Sequence, residues 1–214
     1  MGKRYDALVK DLDLEKQLPL DLEEALAHAV SLQPLAIPEP AKLSAQLADF
    51  CWGRAAASFE EMGYAVDEIR SVRAGALKHL PDAFRRLSAV KLVRRDPAFE
   101  PLAAAFKRAS NILKQTKAAS EDVPEKALLK EPAELALYDA LVSAEGSAND
   151  RIVRGDFEAG LKTLVSVKPH LDLFFDKVMV MVEDEALKRQ RLALLGKLVR
   201  AFKRVADLSE IQSA

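Results

Sequence analysis

Residues 174–208, FFDKVMVMVEDEALKRQRLALLGKLVRAFKRVADL, limit the fold more than any other stretch. At about 100° per residue, Leu187, Leu194, Leu198 and Val205 fall on one side, with Leu195 and Phe202 at their edge. A helix with so continuous an apolar side has to bury it against other elements. Arg189, Lys197, Arg200, Lys203 and Arg204 lie opposite. No acidic residue occurs in 186–206, whereas Glu183, Asp184 and Glu185 crowd the front end. Acids first and bases last suit the helix dipole. Arg191 does not fit that account, because it projects from the apolar side. A cation there is costly unless a carboxylate meets it, and the expected ion-pair partner is Asp176, with Asp172 and the acidic turn as alternatives.

The rest of the composition points the same way. Half of the 214 residues are apolar, glycine numbers 8 and aromatics make up 6%, which argues for helices. Lys plus Arg total 32 and Asp plus Glu 33, so any polyanion site must rest on a local patch and not on global charge. Cys51 is the single cysteine, which excludes an internal disulfide and fits a reducing compartment. The charged start has no apolar core of signal-peptide length, and no apolar run is long enough to cross a bilayer. A cytoplasmic protein is expected.

Along the chain, 5–32 reads as one or two short helices, with Pro19 in a first helical turn. PLAIPEP (34–40) breaks the pattern with prolines that no helix interior accepts cheaply, and is read as a linker and domain boundary. Residues 1–40 are thus a short helical segment and linker left from a preceding domain, and 41–214 an all-α domain. Its first helix, 41–62, carries Leu43, Leu47, Phe50, Arg54, Ala57 and Glu61 at the helical step, and Gly63 ends it. Residues 67–74 form a shorter helix with Val66, Ile69 and Val72 inward. Pro81 opens the next, whose apolar side is Phe84, Leu87, Val90 and Leu92 and whose Arg85, Arg86, Lys91, Arg94 and Arg95 concentrate positive charge. Pro97 and Pro101 introduce FEPLAAAFKRASNILKQT, with Leu102, Phe106, Ala109 and Leu113 inward. The segment 117–132 is polar and exposed. Pro132 starts a helix through Tyr138, Leu141 and Val142 that runs on or breaks near Gly146. Asp156 caps another, and Pro169 restarts the chain. The alternating run 178–182 could pass for a strand, but nothing else in the chain would pair with it; it is a buried helix end or an extended connector. The architecture is an all-α bundle.

Catalytic chemistry is not legible. His28, His79 and His170 stand apart, without metal-ligand spacing among themselves or with Cys51, and there is no phosphate loop, nucleophile elbow or HExxH. No catalytic or metal residue is assigned. The basic rows give the only functional direction. Lysine and arginine neutralise phosphates, and single-stranded RNA is read by groups that stack on or hydrogen-bond to splayed bases. Lys107, Arg108, Asn111 and Lys114 form such a row, Asn111 offering a donor and an acceptor. Lys177, Arg189 and Arg200 are candidate phosphate contacts. A solvated helix face is the alternative reading of each row, and Phe174–Phe175 reads as core.

FFDKVMVMVEDEALKRQRLALLGKL followed by RVADLSEIQ resembles the carboxy-terminal end of the β subunit of bacterial heterotetrameric glycyl-tRNA synthetases. AAAFKRASNILK, LLKEPAE, EEMGYAVDEIRSV and LPLDLEEALAHAV resemble that subunit in the same order. The terminal stretch is also similar to the helical anticodon-binding domain of arginyl-tRNA synthetases, named for an Asp-Ala-Leu-Arg signature; here Glu185-Ala186-Leu187-Lys188 stand in that place, keeping both charges. The resemblance implies a helical bundle that binds glycine tRNA at its anticodon stem-loop and works with the rest of the β subunit and the α subunit. Glycine activation with ATP and Mg would belong to the α subunit, so this portion would have no cofactor or catalytic site of its own. No membrane or DNA partner is implied. A helical protein–protein interaction module without RNA binding is the alternative.

Overall fold

The computed structural model describes residues 21–34, 36–78, 82–117 and 122–212, and within them nine α-helices and two 3-10 turns. The helical segment expected over 5–20, Pro19 included, lies outside the described residues. α1 (Leu22–Ser31) begins at Asp21, whose carboxylate accepts the Glu24 N–H at 3.0 Å and so satisfies one of the orphan donors of the first turn. α2 (Pro40–Glu61) has its proline in the first turn, where no N–H is needed. Gly63 follows it at φ +85°, the left-handed conformation that ends a helix at low cost in glycine. α3 (Val66–Lys78), α4 (Ala83–Val93) and α5 (Phe99–Thr116) come next.

A 3-10 turn at Lys126–Leu128 leads into α6 (Pro132–Val153), which runs unbroken through Gly146. Gly155, at φ +78°, turns the chain into α7 (Phe157–Val165), capped by Asp156, whose carboxylate accepts the Ala159 N–H at 3.1 Å. α8 (Lys168–Lys177) has Pro169 in its first turn. After a bent connector come α9 (Glu185–Lys203) and a 3-10 turn at Leu208–Glu210.

α9 lies against α5 and α6, α7 sits between α4 and α6, and α8 packs on α6 and α5. Phe99, Phe106, Phe174 and Phe202 are fully buried where these helices converge, and the Phe106 and Phe202 rings meet edge to face at 5.7 Å. Such a pair adds about 0.5–1.5 kcal/mol beyond its area. α1 and α2 form a rim, α1 lying on α2 and α3, so the Pro-rich segment joins helices that touch one another. Helical periodicity misleads at Val66 and Leu92, which face solvent, as do Phe50 (67% exposed) and Val142, because no described element covers the sides they occupy.

The largest correction concerns Arg191. It is buried, but its partner is Glu134 on α6 and not Asp176, which is exposed. Glu134 is itself fully buried; one carboxylate oxygen accepts the Lys130 and Glu131 N–H groups at 2.7 and 2.9 Å, and the other accepts Arg191 Nε. Arg191 Nη1 also donates to the Met179 carbonyl at 2.7 Å. One ion pair thus closes the start of α6 and anchors the 178–182 connector, in which Val178 and Val180 point in and Met179 and Met181 point out. The alternation that resembled a strand is an irregular connector, bent at Val180 and Met181, held by a side chain instead of a ladder. A buried pair whose remaining valences are satisfied is costly to break from one side.

Candidate nucleic-acid interface

α5 buries Phe99, Leu102, Ala103, Phe106, Ala109, Ser110 and Leu113. The 3.6-residue step therefore turns Lys107, Arg108, Asn111 and Lys114 to solvent, and all are exposed. Among the described residues Lys107, Asn111 and Lys114 have no hydrogen-bond or ion-pair partner through their side chains. An open groove of about 570 Å³ runs along this face, lined by Lys107, Arg108, Asn111 and Gln115 with alanines of α5, Ile112 and Ile211. Its lining holds cations and amides but no carboxylate. Lys114 lies on the same exposed side one turn further along, outside the lining.

Ile211 is brought to the groove by a clamp on the carboxy-terminal segment. Asp67 accepts the Gln212 N–H at 3.0 Å, and Arg94 bonds both Asp67 at 3.0 Å and the Gln212 carbonyl at 3.0 Å. Burial alone would raise the Asp67 carboxyl, but the bonds from Gln212 and Arg94 outweigh it and hold the group below the usual carboxylate range. Asp207 behaves alike: burial is outweighed by Ser209 and Lys203. Arg86, Lys91 and Arg94 of the basic cluster around α4 are therefore structural. Arg86 is buried against the last carbonyls of α9, donating to Arg204 and Val205, and lies 4.3 Å over the Phe157 ring; burial lowers its pKa. Lys91 donates to the Gly63 carbonyl at 2.6 Å.

The candidate contacts on α9 sit differently. Arg189 Nε pairs with the Asp122 carboxylate at 3.1 Å, and Arg200 Nη2 donates to the Asp122 carbonyl at 3.1 Å. Lys197 pairs with Glu145, and Arg204 donates to Asn149 at 2.8 Å. These cations tie α9 to α6 and to the segment before it. Lys177 is exposed at the end of α8 and lines neither the groove nor the hollow beside it. Glu185-Ala186-Leu187-Lys188 is the first turn of α9, capped by Asp184, whose carboxylate accepts the Leu187 N–H at 3.0 Å.

Helical periodicity does not single out Phe175. Phe174 is core, but Phe175 is only half-buried and carries the Arg108 guanidinium 4.3 Å above its ring centre. The signal available in sequence was the adjacency of two aromatics, of which a helix can bury one on a given side.

The comparisons with known proteins agree with this arrangement. Residues 102–213 match the model of the DALR anticodon binding domain. The chain belongs to that family. The match begins in α5 and ends in the clamped carboxy-terminal segment, so it takes in the groove and the helices packed beneath it. The chain is also similar to proteins named glycine–tRNA ligase beta subunit. It is 42% identical over 200 residues to that of Dechloromonas aromatica, covering 93% of this chain and 28% of the relative. With that of Ralstonia nicotianae it is 41% identical over 199 residues, covering 92% and 28%. With that of Tolumonas auensis it is 39% identical over 199 residues, covering 93% and 29%. The chain thus spans under a third of the length of these curated relatives. Among the described residues no cluster of His, Cys, Asp and Glu could hold a metal ion, and no helix is long and apolar enough to cross a membrane.

Proposed function

We propose that this chain is the tRNA-binding, anticodon-recognising region of a glycyl-tRNA synthetase β subunit. One observation carries the reading: an exposed groove within an anticodon-binding family domain, lined by cations and amides without a carboxylate. Lys107 and Lys114 meet loop phosphates. Arg108 and Asn111 face the bases, since a guanidinium offers a stacking plane and an amide both donates and accepts. Lys177, Arg189 and Arg200 are secondary phosphate contacts. The rest of the β subunit and the α subunit are the protein partners, and the work is done in the cytoplasm. ATP and Mg serve glycine activation on the α subunit, and this chain takes neither. Glycine-dependent pyrophosphate exchange by the isolated chain would contradict that division of labour.

The test is fluorescence binding of the chain to a glycine tRNA anticodon stem-loop and to an anticodon-substituted loop across a salt series. The expected result is tighter binding of the native loop and an affinity that falls with salt by about 0.7–0.9 log units per log unit for each neutralised phosphate. No binding to either RNA, together with salt-insensitive capture of a protein partner, would support the interaction-module reading in its place.

A further inference from the structure

Beside the α5 groove, sharing Ala104 and Arg108 with it, lies a second hollow of about 430 Å³ whose other walls are Ala105, Asp172, Phe175 and Asp176. Its charges are not closed on one another. Arg108 lies over Phe175 and, among the described residues, pairs with neither neighbouring carboxylate. Asp172 is engaged by Lys168 from its own helix. Asp176 is exposed and has no partner among the described residues. Phe175 is fixed from behind by the buried Phe174, with ring centres 5.6 Å apart. A seam serving only to join α5 to α8 would gain by pairing Arg108 with Asp176; here a planar cation is backed by a ring and an acceptor is left open beside it.

We propose that this hollow is a subsite for one splayed nucleobase, stacked on the outer face of Arg108 and read by Asp176. The inference rests on the RNA-binding reading and deepens it. Bases stack on guanidinium planes as well as on rings, and Phe175 backs the Arg108 guanidinium from below. An ionised carboxylate only accepts hydrogen bonds, so the base it suits is one that presents amino hydrogens. Guanine, cytosine and adenine each present an amino group that can meet a carboxylate oxygen. Uracil is rejected, since its N3–H is flanked by two carbonyl oxygens that the carboxylate repels. Phosphates on either side of the base fall to Lys107 and Lys114 along the adjoining groove.

The experiment uses the whole chain and a panel of glycine tRNA anticodon stem-loops in which each loop position is set in turn to G, C, A and U. Wild-type protein should discriminate at one position, an amino-bearing base over uracil by about tenfold or more. D176N replaces an acceptor by an amide that also donates; it should collapse that discrimination while leaving the salt slope and the preferences at other positions unchanged. F175L should lower affinity for every base at the same position, with the thermal melt confirming a folded chain. If wild type binds the loops and D176N leaves every base preference intact, the subsite is wrong and the α5 groove reading stands. If wild type binds none of the loops, the RNA-binding reading falls and the subsite with it.

Discussion

The outer row of α5 and the basic row of α9 carry similar charge, Lys107, Arg108 and Lys114 on one and Arg189, Lys197, Arg200 and Arg204 on the other, but they keep different company. On α9 each cation has a partner within the chain: Asp122 takes Arg189 and Arg200, Glu145 takes Lys197 and Asn149 takes Arg204. On α5 the lysines reach water, and Arg108 rests on a ring instead of a carboxylate. A basic helical face is therefore ambiguous until its neighbours are known. Where acids pair with it, it holds the fold together. Where the cations stay unpaired, it keeps a field that an anionic partner can meet.

The comparison breaks most visibly where α9 turns inward. Replacing Glu134 by Ala strands the buried Arg191 and frees the N–H groups of Lys130 and Glu131. The expected loss is about 3–5 kcal/mol of stability, read by urea unfolding, with faster amide exchange at the start of α6 and in 178–182. Unchanged stability would mean that α9 is held by its apolar side alone. A smaller effect is expected one step outward. Glu145→Ala removes the partly buried partner of Lys197 and should cost about 1 kcal/mol at most. Lys107→Ala should leave the unfolding midpoint where it is, because that side chain has no partner among the described residues.

Acid sharpens the picture at the groove's far wall. Asp67 and Asp207 have folded pKa values below their unfolded ones. Their contribution is therefore complete above the ordinary carboxylate pKa and is lost as pH falls through the depressed folded values. The protection factor of the Gln212 amide, its exchange rate corrected for the intrinsic pH dependence, should fall on acidification before the core opens, and Asp67→Asn should remove most of that change. A protection factor that stays flat down to global unfolding would show that the clamp does not hold the carboxy-terminal segment.

Much of the fold was legible because it depends on local chemistry. The limits of α5 and the buried set Leu102, Phe106, Ala109 and Leu113 follow from a proline-marked start and a regular step. The Asp156 cap and the turn at Gly63 are set by one residue each. Burial of Arg191 could also be read from its side of the helix. Its partner could not, since Glu134 lies on another helix and its sequence context reads as an ordinary first-turn acid. Val66 and Leu92 fail for the converse reason: periodicity says which residues share a side, but only tertiary packing says whether that side is covered. The site divides along the same line. The α5 row is local and visible, whereas the Arg108–Phe175 contact joins two helices that no pattern in the chain brings together.

One titration separates the two basic surfaces directly. Wild type, K107E/K114E and R189E are compared for binding to the glycine tRNA anticodon stem-loop over a salt series, with helicity followed by circular dichroism. K107E/K114E should stay helical and lose binding, its conservative counterpart K107A/K114A should flatten the salt slope by about 1 for each phosphate contact removed, and R189E should have the smaller effect. Affinity and salt slope unchanged in K107E/K114E, with loss in R189E instead, would contradict it and move the interface to α9.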